Sequence, residues 1–533
     1  MQEKLRVAIL SDNNKLYAWQ QLVLENIEKS DYAQLTLSIK INDKTNPKVP
    51  WAWNILSRLD YSLFKPRPNA KLVKSSRSLF KETLEYSETS GLNLKKPNEY
   101  LVDVIINFSD SIPDKNLISH SEYGVWDLVH SAPSNIKQGP PGAWELLLGL
   151  PEIGAYLKCR THEEKQPKIL DQTFVCTDWI SFSRNANSIY WHAYPMIHRN
   201  LKKLYETKEL NGIDSNNYKI CTSKDLSHPY FEYPKTSELF WHVTKILLKK
   251  IRQLIESKIY YDQWILLFSN SANSSPYNLS QYTRIIPPKD RFWADPFLII
   301  RNNKQYLFIE ELVFKDKLGH LAVMELDDKG NYTTPKIILK KEYHLSYPFL
   351  FEDKDNLFMI PETSGNNDIQ LYKCTNFPHE WKLEKTLMNN VVALDTTIYK
   401  EGDIYWMFTN LKEHKGMPSN VNLFLYYSKD LVSNKWTSHP LNPVVTDVKK
   451  ARPAGQLFKE GNNLVRPSQN CSHYYGYGMN FNKITKLTEL YYEEEMLHSI
   501  DPGWQKNVLC THTFNFSKYV YISDAKIKRN RFF

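Results

Sequence analysis

Up to about residue 235, short apolar runs alternate with stretches whose apolar positions recur at helical spacing. LRVAILSD, LTLSIKI and EYLVDVIINFSD read as strands, and YAWQQLVLENIEKS and PGAWELLLGLPEIG as helices. Strand, helix and strand in alternation predict an α/β domain on a largely parallel sheet. The stretch Ser237 to Ser257, SELFWHVTKILLKKIRQLIES, spaces apolar residues helically with basic residues between them. It predicts an amphipathic linking helix docked on a domain, with a membrane surface as the alternative. After residue 260 the helical period gives way to short strands and turn residues.

That second region repeats. WADPFLIIRNNKQYLFIEE, SYPFLFEDKDNLFMIPET, ALDTTIYKEGDIYWMFTN, ARPAGQLFKEGNNLVRPSQN and CTHTFNFSKYVYISDAK each open on a polar residue, run through a strand and a turn, and finish in a second strand. The openers are Asp295, Tyr347, Asp395, Arg452 and His512. Their spacing of roughly fifty residues is enough for about four short strands, one blade of a propeller. The expected division is residues 1–235 as the α/β domain, 236–260 as the linking helix and 261–533 as an all-β five-bladed propeller.

Composition narrows this further. A chain of 533 residues exceeds a single core, so two or three domains are expected. Aromatic residues at 13% suit both packed β-structure and sugar-binding surfaces. The net charge of +9 is spread along the chain, which favours acidic ligands such as nucleotide-sugars or phospholipid surfaces and carries no nucleic-acid signature. Cys159, Cys176, Cys221, Cys374, Cys471 and Cys510 stand far apart without a C-x-x-C pair, so neither a zinc site nor a disulfide scaffold is expected. The opening MQEKLRVAILSDN has no signal-peptide core, and no apolar run is long enough to span a bilayer. A cytoplasmic protein is expected, with peripheral membrane contact as the alternative.

In a propeller the innermost strand of each blade lines a central channel, so repeated positions converge on one funnel. The five openers would surround the axis, with the second-strand ends Glu310, Glu311, Glu362, Asn410 and Gln469 nearby. Two readings of these positions stand: capping residues that tie blades together, or a ligand site. In the second, Asp295 and Asp395 bind hydroxyls or do acid/base work, with Glu362 as the candidate acid. Tyr347, Glu311 and Gln469 then bind substrate, Arg452 holds an anionic group and His512 donates a hydrogen bond or proton. Elsewhere His192 and His198 lack the i, i+4 spacing of paired ligands, and no metal site is expected. YYEEEM reads as a solvated face, and HKGMPSN as a loop at the funnel's rim.

WADPF and LDTT resemble the five-bladed propeller glycosidases of the arabinanase, β-xylosidase and fructosidase type. That resemblance implies a first-blade aspartate at Asp295, a second at Asp395 and a glutamate acid, for which Glu362 is the candidate. FWADPF, YHLSYPFLFE, MIPET, LYKCTNFPHEW, SHPLNPVVTDVKKARPAGQLF, RPSQNC, YGYGMNFNKI and THTFN resemble the propeller module at the N-terminal side of plant glucosamine inositolphosphorylceramide transferases, and bacterial proteins of surface-glycan synthesis. This resemblance covers about Phe292 to Asp524.

HSAPSNIKQGPPGAWELLLGLPEIGAYL is similar to a segment of the formyltransferases, implying a Rossmann-type N-terminal domain. Such enzymes pass a formyl group from 10-formyltetrahydrofolate to an amine. The resemblance puts His130 and Asp171 in the catalytic positions. Position 128 is Leu where that family carries Asn, which removes an amide donor, and the neighbouring Asp127 would repel an oxyanion. The expected function is a step in surface polysaccharide or glycolipid biosynthesis, with a sugar bound and transferred or modified in the funnel. A sugar N-formyltransferase and a non-catalytic glycan-binding scaffold are the alternatives. Expected partners are a nucleotide-sugar, glycan or glycolipid and other polysaccharide-assembly enzymes.

Overall fold

The computed structural model describes residues 2–12, 15–41, 48–75, 82–87, 91–92, 102–109, 113–130, 138–162, 166–213, 231–270, 275–517 and 520–532. By contacts the chain divides into a first unit, Met1–Leu247 with His414–Met417, and a second, Leu248–Glu413 with Pro418–Phe533.

The first unit is built on an eight-stranded sheet. From one edge to the other its strands are Lys168–Cys176, Glu152–Arg160, Val125–His130, Val104–Asn107, Leu5–Ser11, Ala33–Ile41, Glu82–Ser87 and Gly91–Leu92. The five central strands from Val125–His130 to Glu82–Ser87 run parallel, whereas both edges are antiparallel. This corrects the expectation of a formyltransferase-like, Rossmann-type α/β domain. The protein is mostly β, its helices are a minor part, and no clear doubly wound arrangement is found among the described residues.

The difference has a local cause. In PGAWELLLGLPEIG only Ala143–Leu148 is helical, and a strand begins at Glu152. That strand is buried along nearly its whole length, so it reads as a continuous apolar run, and periodicity does not distinguish such a run from buried helix. Residues 131–137 of the formyltransferase-like segment, and Cys221, lie outside the described residues.

The second unit is a propeller of five antiparallel sheets. The first blade comprises Arg291–Arg301, Lys304–Val313, His320–Leu326 and Lys336–Leu339. The second comprises Ser346–Asp353, Asn356–Glu362, Asp368–Asn376 and Glu380–Asn389, and the third is built on Ala393–Glu401, Ile404–Leu411 and Asn422–Ser428. The fourth runs Phe458–Glu460, Asn463–Asn470, Gly478–Leu487 and Tyr492–Ile500. The fifth joins the two ends of the unit, because Tyr260–Asn270 pairs antiparallel with Val520–Asn530 along its full length. Phe514–Ser517 lies on the other side of Val520–Asn530.

The aromatic richness is largely accounted for here. Phe297 meets Tyr347 edge-on at 5.0 Å and Phe308 meets Trp381 at 5.9 Å, filling the space between the first two blades. Each such burial contributes about 1.5–3 kcal/mol. YYEEEM is not one solvated face. Glu493 is exposed, but Glu494, on the opposite side of the strand, is buried and paired with Arg466 at 2.8 Å.

The linking helix spans Thr236–Ile259. Leu239 and His242 are buried, but Phe240, Trp241, Leu247, Leu248, Ile251, Leu254 and Ile255 are exposed. The expectation that its apolar face docks on a domain is therefore corrected over most of its length. Amphipathic spacing defines an apolar face without defining what covers it.

Candidate functional site

Three blades begin with the same backbone device. Asp295, Tyr347 and Asp395 have φ of 48°, 47° and 49°, the left-handed region, each within a register shift of the blade's first strand. For residues other than glycine this conformation costs about 1–2 kcal/mol, so surrounding bonds must hold it. They are present. The Asp295 amide donates to Asp524 Oδ2 at 3.1 Å, and the Tyr347 amide donates to Asp295 Oδ2 at 3.2 Å. The fifth blade thus fixes the first, and the first fixes the second.

The second-strand ends are also equivalent. Glu310 opposes Ala294, Glu362 opposes Ser346 and Asn410 opposes Leu394, each beside the bulge of its blade. Gln469 donates its amide to Arg452 O in the fourth blade. In the fifth, Ser523 opposes Phe514, and Asp524 is the next residue along that strand. All five side chains are buried. Asp524 was not among the expected residues, although ISD stands near the end of the fifth repeat.

These positions meet as one polar network. Arg452 donates from Nε to Asp395 Oδ2 at 2.6 Å, from Nη2 to Asp395 Oδ1 at 3.3 Å and Glu362 Oε2 at 3.2 Å, and from Nη1 to Asn420 Oδ1 at 3.1 Å. Gln469 Nε2 adds a bond to Asp395 Oδ2 at 2.7 Å. Asp295 Oδ1 accepts from the Thr513 hydroxyl at 2.6 Å, with His512 Nε2 at 3.8 Å. His512 Nδ1 lies 2.7 Å from Asp524 Oδ2, and its ring stacks on Trp264 at 4.1 Å. Tyr475, 41% exposed, lies over the Arg452 guanidinium at 4.8 Å and against the His512 ring at 5.4 Å. It forms an aromatic platform on the cluster, in a loop that the repeat pattern does not mark.

Electrostatics divides the carboxyls. Burial, reinforced by Asp395, pushes Glu362 well above the usual carboxylate range despite Arg452. Burial also raises Asp295, with His512 offsetting part of the effect and Glu310, Asp395 and Asp524 adding to it. For His512, burial lowers the pKa, but Asp524 and Asp295 outweigh it and hold the imidazolium up to about 9. The half-exposed His344 lies 3.1 Å from Glu310 Oε1, and that bond, opposed by desolvation, raises its pKa. A proton-bearing carboxyl beside a fixed guanidinium and an imidazolium can both donate to and accept from hydroxyls.

Other expected residues lie apart from this network or have different work. Tyr347 is fully buried, and its hydroxyl bonds Thr397 Oγ1 at 2.9 Å and accepts from the Gly455 amide at 2.8 Å. It ties the second, third and fourth blades. Glu311 faces away from Glu310 and accepts from Arg291, Trp293 and His320 at 2.9–3.1 Å within the first blade. Asn410 is fully buried, and neither side-chain polar atom has a hydrogen-bond partner among the described residues.

In the first unit His130 packs against Tyr190 at 4.6 Å, and burial lowers its pKa to about 3, so the ring is neutral. Asp171 instead accepts from Arg199 and Asn200, each at 3.1 Å. No hydrogen bond or ion pair joins His130 to Asp171 among the described residues. Asp127 accepts from Asn107 at 2.7 Å and Arg160 at 3.0 Å, and burial raises its pKa.

Residues 278–515 match the family described as glucosamine inositolphosphorylceramide transferase 1, N-terminal. The propeller is similar to the N-terminal module of these transferases. Glucosamine inositolphosphorylceramide transferase 1 of Oryza sativa subsp. japonica is 34% identical over 206 residues, and that of Arabidopsis thaliana is 32% identical over the same length. Each match covers 38% of this chain and 27% of the relative, so the shared part is a module of a much longer protein. Among solved structures, a GH43 β-1,3-galactosidase aligns with TM-score 0.34 and 12% identity, over 46% of this chain and 58% of its own.

Proposed function

We propose that the propeller binds a sugar at its channel cluster and that the protein acts in assembling or modifying a surface polysaccharide or glycolipid. The observation that carries this reading is the convergence of Asp295, Glu362, Asp395, Arg452 and His512 in one buried network under an exposed tyrosine ring. Burying so many ionisable groups is costly, and such clusters concentrate at functional sites. Tyr475 supplies a face for a pyranose ring, with Asp295, Glu362 and His344 presenting groups to its hydroxyls.

The matched relatives, named as glucosamine inositolphosphorylceramide transferases, support a sugar or glycolipid as the substrate class. Arg452 occupies both oxygens of Asp395, which favours binding or transfer over hydrolysis by a carboxylate pair. Nucleotide-sugars, glucosamine-containing glycans and inositol phosphates would be screened for protection of the protein against thermal unfolding. Protection by a sugar-bearing compound, lost in Asp295→Asn and Tyr475→Ala with circular dichroism unchanged, is the expected result. Absence of protection by every class, or protection that survives both substitutions, would overturn the proposal.

A further inference from the structure

From Leu247 to Ile259 every side chain except Glu256 is exposed. Most of a helix's stability in a protein comes from packing its apolar face, and nothing among the described residues covers this one. At 3.6 residues per turn Phe240, Leu247, Leu248, Ile251, Leu254 and Ile255 fall on one side of it, and all are exposed. The remaining surface is basic: Lys245, Lys249, Lys250 and Arg252 stand against Glu238 and Glu256, and Glu256 is engaged by Arg252 and Lys528.

A second helix, Trp51–Phe64, has the same character. Trp51, Ile55, Leu59 and Leu63, four residues apart, are all exposed. Its acid, Asp60, is buried and accepts from Ser181 and Ser183, while Arg58, Lys65 and Arg67 are exposed around it. Trp53 of this helix and Leu239 of the linking helix share one small core with Phe182 and Leu146. The first unit thus carries the start of both exposed faces in one packed cluster.

We infer that the exposed apolar side of the linking helix docks on a bilayer surface bearing anionic phospholipid headgroups, and that the helix Trp51–Phe64 offers a second such side. An apolar stripe with tryptophan, flanked by lysine and arginine, matches a helix lying in the plane of the headgroups. Net positive charge at both helices matches anionic lipid. No helix among the described residues is long and apolar enough to cross the bilayer, so contact is along the surface. Such a face would hold the protein where a lipid-linked sugar acceptor is presented.

The test is flotation of the whole protein with vesicles of phosphatidylcholine alone or mixed with phosphatidylglycerol. Binding to the mixed vesicles, weakened by salt and falling at least about tenfold in Leu248→Asp/Ile251→Asp, is expected, since each substitution places a charge at the apolar boundary. Lys249→Gln/Lys250→Gln should weaken it by about fivefold per cation. Failure to float with anionic vesicles, or binding that ignores both pairs of substitutions, would overturn the inference. So would light scattering showing a dimer that Leu248→Asp/Ile251→Asp dissolves, because the face would then belong to a second copy of the chain.

Discussion

Replacing Arg452 with Met tests whether the channel cluster is held by charge. The guanidinium is buried with Asp395 and Glu362, making three bonds to their oxygens at 2.6, 3.2 and 3.3 Å. Methionine keeps much of the volume and removes the cation, leaving Gln469 as a remaining donor to Asp395. Removing one partner from a buried ion pair costs about 3–5 kcal/mol, because the other charge stays desolvated. At about 2 °C per kcal/mol for a large domain, the melting temperature should fall by roughly 6–10 °C.

The pH dependence identifies the cause. Without Arg452 the Glu362 carboxyl loses an opposite charge, so its folded-state pKa, already raised by burial, rises further. Protonated in the folded state, it loses nothing below the ordinary carboxylate range, and the deficit grows as pH rises through the raised folded value. Urea unfolding of wild type and variant, at mildly acidic and mildly alkaline pH, measures this. Asp395→Asn added to Arg452→Met should recover part of the loss at alkaline pH. A deficit under about 1 kcal/mol, or one equal at both pH values, would refute the charge-based account.

Tyr347→Phe removes the hydroxyl that joins Thr397 and the Gly455 amide, and should cost about 1–3 kcal/mol in chemical denaturation while leaving sugar protection intact. His512, raised from its usual value to about 9, contributes stability that is full below about pH 6.5 and is lost as pH rises through 9. Asp524→Asn should remove most of that contribution, roughly 3 kcal/mol, and flatten the alkaline limb of the stability profile. Asp395→Gly should be more stable than Asp395→Ala by about 1 kcal/mol, the reverse of the usual order in strands, because φ at this position is 49°. Equal urea midpoints for the two would remove the case for backbone strain.

The repeat was legible because each blade opens on a polar residue at the start of an apolar strand, and Asp295, Tyr347 and Asp395 do occupy one backbone conformation. Asp524 is not a blade opener, so the repeated blade starts do not mark it. Tyr475 was not legible, since it lies in a loop outside the repeated strands. In the first unit, the strand Glu152–Arg160 is buried on both faces, which erases the alternation that marks a strand at a solvated sheet edge. In the linking helix, Thr236–Ile259, spacing reports which side is apolar and nothing about what meets it.

Equivalent slots in this propeller do different work, and that separates architecture from chemistry. At one bulge Asp295 sends its carboxylate to Thr513 and the Tyr347 amide; at the next, Tyr347 sends its hydroxyl into the core as a tie among blades; at the third, Asp395 receives Arg452. The bulge is therefore a positioning device whose residue decides its use. The second-strand ring divides similarly: Glu362 is raised and held to the guanidinium, Asp524 anchors His512 and the first bulge, and the Asn410 side chain has no hydrogen-bond partner among the described residues. Glu362 and Asp524 therefore hold the fold as well as the cluster, whereas the exposed ring of Tyr475 lies over it, so Tyr475 is the position where loss of sugar binding can be separated from loss of fold.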